Sequence, residues 1–344
     1  MPFEAMRRRI ATGDPSVSCA GAKGCGEDPP EANLRGTSGR KKHAPADTIK
    51  QHVHAGLTKD SAPYIIKIKQ ISRHTVLHIM KNLFIFTNTS AQSKDAARNI
   101  KKELEACGFT VSDTFLPETE MILVIGGDGA FLKALEHCGY PSRPFLGINT
   151  GHLGFFQELS PYDLDSIIAM CRDGKYVIQP YRLLEAVIQS GEASSRSYAL
   201  NDFCLRDCGA SVVRLKIEVG NNFVETLYGD GLVVASSAGS TAYNYSLRGA
   251  IVDPRLEALQ LTAMAPINNL VYRSFTSSLL FPPSLDIKVS LEKKDNLNIG
   301  IFADGKKIHS GDFDTMQVSL SKRIVNIVRG SDYDFWSKVE SKLL

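Results

Sequence analysis

The sequence predicts two architectures in one chain, an N-terminal Rossmann-like α/β domain with a parallel sheet and then a β-sandwich domain. Between residues 80 and 180, short apolar strands alternate with helical patterns, which builds a parallel sheet with its ligand edge at the strand C-termini. From residue 181 onward, about ten short strand patterns are separated by turn residues, with one internal helix start. We therefore expect an α/β domain over 80–180, a β-rich domain over 181–320, and a strand and helix over 321–344 that return to the first domain.

The first 79 residues differ from the rest. They are rich in Gly, Pro and Ser and carry 13 Lys/Arg against 7 Asp/Glu. This predicts a disordered leader, or a start assigned too early, with Met80 opening the folded chain as MKNLFIFTN. Because the remaining residues hold 27 basic and 30 acidic side chains, the folded body gives no indication of nucleic-acid binding.

Composition gives no indication of a membrane protein or of a cysteine metal site. No apolar run approaches the roughly 18 residues of a membrane span, so we expect no membrane association. Seven cysteines, an odd number without a CxxC pair, indicate reduced thiols and a cytoplasmic location. Cys204 and Cys208 are the closest pair in the body, but no His or second Cys pair completes a metal site there.

The elements follow from apolar periodicity and from turn residues. In the α/β part we expect strands at 83–87, 109–111, 121–125 and 145–148, and helices at 90–107, from 130 onward, and at 163–170. In the β-rich part the clearest strands are 185–189, 214–219, 231–235, 287–291, 297–303 and 317–320, with turns at 220–222 and 293–296. The helix start lies at 239–246, and a last helix is expected over 332–343.

The chain is organised around residues 121–135, MILVIGGDGAFLKAL. An apolar strand runs into Gly126-Gly127-Asp128-Gly129 and a helix follows at once, an order that presents backbone N–H groups to a phosphate. Asp128 would repel a bare phosphate, so it is better explained as a partner for a hydroxyl or a metal ion beside that phosphate. A helix-capping Asp in an ordinary β-to-α turn is the alternative.

Three further polar clusters follow or flank strands: NTGHLGFF at 149–156, the Asn-Asp pair at 201–202, and GDGLVVASSAGSTAY at 229–243. The first lies at the same sheet edge as Asp128, and Phe155 or Phe156 offers a face for a base. His152 is either a base or a structural turn residue. The pair Asn201-Asp202 suits a purine edge or vicinal ribose hydroxyls, although such a pair also forms turns.

The third cluster is a second candidate phosphate cradle, because Gly239-Ser240-Thr241 ends a strand and starts a helix. It lacks the Lys of a P-loop, so a Walker-type NTPase is not supported. No GxGxxG opens the first βα unit, and no GxSxG or Ser–His–Asp ordering is present.

In this order, GGDG, NTGHLGFF, LND at 200–202 and DGLVVASSAGSTAYNYS at 230–246 resemble the motifs of ATP-dependent NAD kinases, also described as inorganic polyphosphate/ATP-NAD kinases. The resemblance runs from Met80 to roughly Arg329. It implies transfer of the γ-phosphoryl group of ATP to the 2′-hydroxyl of the adenosine ribose of NAD, giving NADP. It also implies that Asp128 is the general base that accepts the hydroxyl proton.

The resemblance further implies the substrate contacts. Gly127 and Gly129 would admit phosphates, and Lys133 would face their charge. The other implied contacts are Phe155 beside a base, Asn201 and Asp202 at the adenosine half, Asp230 at the nicotinamide end, Thr241, Ala242, Tyr243, Asn244, Tyr245 and Ser246 around the adenine and ribose, and Asp304 at the border of the cleft. Mg²⁺ or another divalent cation would arrive with ATP, without a dedicated protein site. The family also implies homodimers or homotetramers.

Three departures from the family pattern stand out. The loop that usually reads STPTGSTAY is ASSAGSTAY at 235–243, Tyr228 replaces a basic or small polar residue, and 265–269 replaces a Pro-His stretch. None removes Asp128, so we expect activity. Two alternatives stay open: a diacylglycerol- or sphingoid-type lipid kinase, which would need an apolar acceptor groove, and a non-catalytic dinucleotide-binding regulator.

Overall fold

The computed structural model describes residues 80–151, 154–209, 211–292 and 298–344. The leader at 1–79, the base candidate His152 and the turn predicted at 293–296 lie outside these residues. The described residues form an eleven-stranded sheet, called sheet A, and a six-stranded sheet, called sheet B.

The first part of the described chain alternates strands and helices. Its elements are β1 (Asn82–Thr87), α1 (Ala91–Ala106), β2 (Thr110–Ser112), β3 (Met121–Ile125), α2 (Asp128–His137), β4 (Pro144–Ile148), β5 (Gln157–Leu159) and α3 (Leu164–Asp173). The order β2-β1-β3-β4 is parallel throughout, which confirms the predicted Rossmann-like sheet. Strand β5 was not predicted. Helix α2 begins at Asp128, two residues before the predicted start, because Gly127 with its extended backbone already serves as the N-cap.

All five residues of β3 are buried because the sheet is covered on both faces. Leu104 of α1 and Ile167 of α3 pack on one face, and Phe131 of α2 packs on the other. The ends of the helices follow ordinary capping chemistry. Ser90 accepts a hydrogen bond from the Ser93 N–H at the start of α1, and Gly174 ends α3 in the left-handed conformation.

The second part is mostly β. Its strands are β6 (Val177–Ser190), β7 (Ala193–Ala199), β8 (Asp202–Asp207), β9 (Val213–Val219), β10 (Asn222–Gly229), β11 (Gly231–Ala235), β12 (Leu259–Met264), β13 (Leu279–Phe281), β14 (Ile287–Leu291), β15 (Ile299–Ala303), β16 (Lys306–Ser310) and β17 (Thr315–Arg329). A 3₁₀ turn (Ala238–Thr241), α4 (Tyr243–Ser246) and α5 (Phe335–Leu343) complete the chain. The predicted strands at 231–235 and 287–291 match β11 and β14.

A sandwich core lies between sheet B and the antiparallel part of sheet A. It is built from alternate residues of facing strands, such as Leu215 and Ile217 of β9 opposite Leu232 and Val234 of β11. Sheet B has the order β13-β12-β11-β8-β15-β16 and its pairings are antiparallel. The predicted β-sandwich is therefore confirmed.

Strand β17 connects the two parts of the fold. It runs antiparallel to β6 over most of its length and parallel to β4 at Asn326 and Ile327. Sheet A is therefore continuous, and the boundary predicted at residue 320 falls inside a single strand. No helix among the described residues has the length and apolar character needed to cross a membrane.

Candidate active site

Asp128 is the first residue of α2, at the C-terminal end of β3. Gly126 precedes it with φ +151°, and a Cβ at this position would lie 2.6 Å from the Cβ of Ala130, so the turn requires glycine. The Asp128 carboxylate accepts hydrogen bonds from the N–H of Phe155 at 2.9 Å and of Phe156 at 3.0 Å. One bond goes to each oxygen, so the carboxylate is oriented while each oxygen keeps acceptor capacity for a substrate.

The loop after β4 supplies those N–H groups. Phe156 was one of two candidates for stacking on a base, and this alternative is wrong: its side chain is 3% exposed and its ring stacks on Phe131 in the core, with 5.0 Å between centroids. Phe155 is partly exposed, and the Nζ of Lys342 lies 5.7 Å from its ring centroid. Asn149 bonds through its side chain to the backbone of Gly151, which closes the turn.

Asn201 and Asp202 lie in the turn before β8 and at its first residue, and both are buried. The Oδ1 of Asn201 has no hydrogen-bond partner, and among the described residues none donates to the Asp202 carboxylate. Burial, and then the charge of Asp304, raises the pKa of Asp202 to about 7. Two buried acceptors without donors suit a ligand that brings hydroxyl or amino groups.

The Asp304 carboxylate holds the turn at residues 200–202 in place. It lies with Gly305 in the two-residue hairpin between β15 and β16, where both residues have positive φ, as an Asp-Gly hairpin turn requires. Its carboxylate accepts hydrogen bonds from the backbone N–H of Leu200, Asn201 and Asp202, at 2.8, 2.7 and 3.2 Å. Burial raises the pKa of Asp304 to about 6, although the three N–H groups act in the opposite direction.

The turn after β11 is held by serine hydroxyls. Ser236 donates its backbone N–H to the Asn201 carbonyl at 2.9 Å and its hydroxyl to the Leu200 carbonyl at 2.5 Å. The Ser236 hydroxyl also accepts the N–H of Gly239, and the Ser237 hydroxyl donates to the Leu256 carbonyl. The loop that lacks the usual Pro and Thr is therefore fixed by side-chain bonds to its neighbours.

The residues after this turn divide into two groups. Thr241 and Ala242 are partly exposed, and Tyr243, Tyr245 and Ser246 are exposed, so all five are accessible to a ligand. Asn244 is fully buried, and its Oδ1 accepts a hydrogen bond from the Thr262 hydroxyl at 2.6 Å. The predicted ligand contact by Asn244 is therefore not accessible, because the side chain packs into the interior beside sheet B.

A cleft of about 480 Å³ brings several of these groups together. Gly129 and Lys133 line it from α2, Tyr198 lines it from β7, and Asp304 and Lys306 line it from the β15–β16 hairpin. Lys133 is exposed and has no ion-pair partner within the part of the chain that the structure describes. The cleft therefore places an available cation and the N-terminus of α2 beside the hairpin that holds Asn201 and Asp202.

The turn after β11 lies against the same helix, since Ala238 and Leu200 pack with Ala130 and Phe131 in one apolar cluster. Asp230 is not part of this group. It is exposed and lies at the opposite end of β11. Burial and then nearby groups, including the carboxylates of Asp202 and Asp230, raise the pKa of Tyr243, so this tyrosine lies within the electrostatic influence of both.

Tyr228 occupies the position where a basic or small polar residue is more common. Its ring lies 4.3 Å from that of Tyr272, and its hydroxyl donates to the Glu292 carboxylate at 3.3 Å. The guanidinium of Arg214, its cross-strand neighbour, lies 5.9 Å from the Tyr228 ring centroid. A cation is therefore present beside residue 228 although residue 228 itself is neutral.

Sequence reasoning missed the charged residues beneath the Asp128 loop, which are Glu158, Arg329 and Lys338. The only available signal was Arg329 at the end of the largely apolar run IVNIVR at 324–329. Across the described ranges, no group of three or more His, Cys, Asp or Glu side chains is arranged to hold a metal.

The site has the groups expected of a phosphotransferase that acts on a nucleoside. These are an oriented carboxylate, a helix N-terminus with an available lysine on the same helix, and buried acceptors for hydroxyl groups.

The chain matches family models for the ATP-NAD kinase N-terminal domain over 110–176 and the ATP-NAD kinase C-terminal domain over 200–330. It is 32% identical to NAD kinase of Finegoldia magna over 272 residues, which is 77% of this chain and 98% of that protein. It is 34% identical to NAD kinase 1 of Listeria innocua over 233 residues, 66% of this chain and 86% of that protein.

Solved structures show the same fold. Yeast NADH kinase complexed with NADH superposes with a TM-score of 0.68 at 20% identity, covering 77% of this chain and 87% of that one. An NAD kinase from Archaeoglobus fulgidus in complex with ATP superposes with a TM-score of 0.62 at 22% identity, covering 76% and 99%. The chain belongs to the ATP-NAD kinase family. The lipid-kinase and regulator alternatives are not favoured.

Proposed function

We propose that this chain transfers the γ-phosphoryl group of ATP to the 2′-hydroxyl of the adenosine ribose of NAD, giving NADP, with Asp128 as the general base. The observation that carries the proposal is the shared cleft. Gly129 and Lys133 of the phosphate-facing helix and Asp304 of the hairpin that holds Asn201 and Asp202 line the same cavity. This supports a phosphate site beside α2 and a nucleoside site beside the hairpin whose Asp304 bonds the backbone of Asn201 and Asp202.

The proton transfer follows from the orientation of Asp128. Its two oxygens are each held by one backbone N–H, which leaves a lone pair on each for the ribose hydroxyl. In the proposed step the hydroxyl proton passes to Asp128, the hydroxyl oxygen bonds to the γ-phosphorus, and the bond from that phosphorus to the β-bridging oxygen breaks to release ADP. A positioned base contributes roughly 10²–10⁴-fold to such a reaction.

Charge and position supply the rest of the catalysis. Phosphoryl transfer depends on alignment and on neutralising charge on the phosphoryl oxygens. The N-terminus of α2 presents partial positive charge, and Lys133 adds a full one. Asn201 and Asp202 offer acceptors to the ribose hydroxyls or the adenine amino group, and Thr241, Ala242, Tyr243, Tyr245 and Ser246 supply the neighbouring accessible surface. Asp230 is assigned to the nicotinamide end because it lies across β11 from this group.

Mg²⁺ or another divalent cation would be brought by ATP, with phosphates and waters as its ligands and without a dedicated protein site. When bound, the ion neutralises negative charge on the phosphates. We further propose a cytoplasmic enzyme that forms homodimers or homotetramers. In support of the first point, the five cysteines in the described ranges are free thiols.

The test is an assay of the purified full chain with NAD, ATP and Mg²⁺, in which NADP is detected by an NADP-specific dehydrogenase. We expect NADP at the rate of ATP consumption and no phosphorylation of diacylglycerol or sphingosine presented in detergent micelles. Dinucleotide binding without turnover would contradict the proposal and favour the regulator. Phosphorylation of the lipid alone would favour the lipid kinase.

A further inference from the structure

Arg329, the last residue of β17, is a fully buried arginine below the loop that holds Asp128. Its side chain is 1% exposed. It donates to the Gln179 side-chain carbonyl at 2.8 Å, to the Glu158 carboxylate at 3.2 Å and to the Phe155 backbone carbonyl at 2.9 Å. Its guanidinium carbon lies 4.2 Å from the ring centroid of Tyr333. A buried arginine with this many fixed partners cannot contact a substrate in the cleft, and it restrains every group that it bonds.

Lys338 of α5 approaches the same loop from the C-terminal helix. Its ammonium donates to the Gln157 backbone carbonyl and lies 3.7 Å from the Glu158 carboxylate, with 9% of the side chain exposed. Burial, and then the charge of Arg329, lowers the pKa of Lys338 to about 8. Two cations therefore face the single carboxylate of Glu158, an arrangement that stability alone does not require.

The peptide between Phe155 and Phe156 connects Arg329 to the Asp128 carboxylate. The carbonyl of Phe155 accepts the hydrogen bond from Arg329, and the N–H of the same peptide, on Phe156, donates to Asp128 Oδ1 at 3.0 Å. Arg329, the peptide and Asp128 thus form a continuous chain of hydrogen bonds. A cation on the carbonyl polarises the peptide and strengthens its N–H as a donor.

Glu158 also bonds the loop to the backbone just after Arg329. Glu158, three residues beyond Phe155, accepts the backbone N–H of Gly330 at 2.7 Å. The loop at 154–158 is therefore attached to the end of β17 through both side-chain and backbone bonds. A displacement of that strand end or of α5 would move the loop, and Asp128 with it.

We propose that Arg329 is a positioning residue for Asp128, acting through the Phe155–Phe156 peptide, and that Lys338 supports it by holding the Gln157 carbonyl. The inference rests on the proposed role of Asp128 as the base. It assigns to the C-terminal strand and helix a part in turnover, although Arg329 and Lys338 lie behind the Asp128 loop and not on the cleft wall.

The test compares Arg329→Lys and Lys338→Met with a matched control, Arg182→Lys. Arg182 also donates to two backbone carbonyls, of Ser321 and Leu320, and pairs with Glu257, but it bonds no residue of the Asp128 loop. Arg329→Lys keeps the charge and loses the planar fork. We expect kcat to fall roughly 10- to 100-fold, since small displacements of a reacting group have effects of this size. The KM values for NAD and ATP should change less than about threefold, because Arg329 and Lys338 do not line the cleft and hold Phe155 and Gln157 through their backbone carbonyls.

If Arg329→Lys fails to fold, Lys338→Met tests the same proposal. Lys338→Arg should retain most of the kcat that Lys338→Met loses. A double-mutant cycle then separates positioning from general destabilisation. In an Asp128→Asn background, Arg329→Lys should cause no further loss of kcat if it acts only through Asp128.

Three outcomes would overturn the inference. One is kcat within about twofold of the parent in both Arg329→Lys and Lys338→Met. Another is an equal loss of kcat in Arg182→Lys at a matched loss of stability. The third is full additivity in the double mutant. If Asp128→Asn itself retains turnover, the base assignment fails, and that result is distinguishable because it does not depend on Arg329.

Discussion

Gly154 and Asp128 touch so closely that a Cβ on residue 154 would lie 2.1 Å from Oδ1 of Asp128. That added Cβ would also lie 1.9 Å from the side-chain oxygen of Gln157. No side chain larger than hydrogen fits there without moving the carboxylate. The glycine in this loop is therefore a condition for the position of the proposed base.

Gly154→Ala should accordingly reduce both activity and stability. Overpacking of this kind costs about 1–3 kcal/mol in the free energy of unfolding, measurable by urea denaturation. We expect kcat to fall at least roughly tenfold because the added methyl group displaces Asp128. Gly151→Ala is the matched control, since a Cβ there meets no atom of the described residues within 4 Å, and it should retain near-parental kcat. Equal effects of the two substitutions would contradict this account.

Asp128→Asn should lower kcat by at least roughly 10²-fold, since the amide cannot accept the hydroxyl proton. The amide also places an NH₂ group against the N–H of Phe155 or Phe156, so some loss of stability is expected. Calorimetry should show NAD binding within a few-fold of the parent. Near-parental turnover would remove Asp128 from the role of base.

Asp304→Ala should weaken NAD binding more than it weakens turnover. It removes the acceptor for three backbone N–H groups at 200–202, which should cost about 2–3 kcal/mol in unfolding free energy. The KM for NAD should rise at least roughly tenfold as the turn loosens.

Asp207 provides the matched control for that experiment. It lies at the other end of β8, and its carboxylate also accepts three backbone N–H groups, from Gly209, Ser211 and Asn298, each at 2.9 Å. Asp207→Ala should lose some stability, although less than Asp304→Ala because these bonds are exposed, while the KM for NAD stays within about threefold of the parent. A parallel rise in KM for both variants would mean that Asp304 acts through stability alone.

Asp202 should make the stability of the protein depend on pH in a predictable direction. Its folded pKa of about 7 lies above the ordinary value of 3.8, so the folded state binds more protons than the unfolded state between these values. Its contribution to stability is therefore present at low pH and is lost as pH rises toward 7. Asp202→Asn removes this dependence. Urea titrations should find the variant more stable than the parent at pH 8, with the difference shrinking toward pH 4, and a constant difference would contradict the assignment.

Local patterns were sufficient for most elements. Strand β3 was predictable because five apolar residues stop at a run of glycines, and α1 because apolar residues recur at helical spacing between Ser90 and Gly108. The Asp-Gly hairpin at 304–305 carries an equally local signal, since both residues tolerate positive φ. The start of α2 was missed by two residues because a polar Asp at the first helical position does not show in the apolar period.

Contacts between residues that are distant in the sequence could not be predicted from local patterns. Phe155 and Phe156 are adjacent and chemically identical, and only packing on Phe131 determines which one enters the core. Asn244 lies within a run of accessible site residues, yet its bond to Thr262 buries it. Arg329 reaches Phe155 across 174 positions of sequence, and nothing near either residue encodes that bond.

The sequence alone determined the two-part fold and the family and led to the prediction that Asp128 is the base, because these depend on period, turn chemistry and motif order. Tertiary structure decided how Asp128 is held. Two N–H groups orient its carboxylate, Gly154 leaves room for it, and a buried arginine and lysine from the C-terminal strand and helix fix the loop behind it. The contacts to Asp128 require β3 and β4 to be neighbours, and those from Arg329 require β17 beside β4, so they depend on the assembled fold and not on any single stretch of chain.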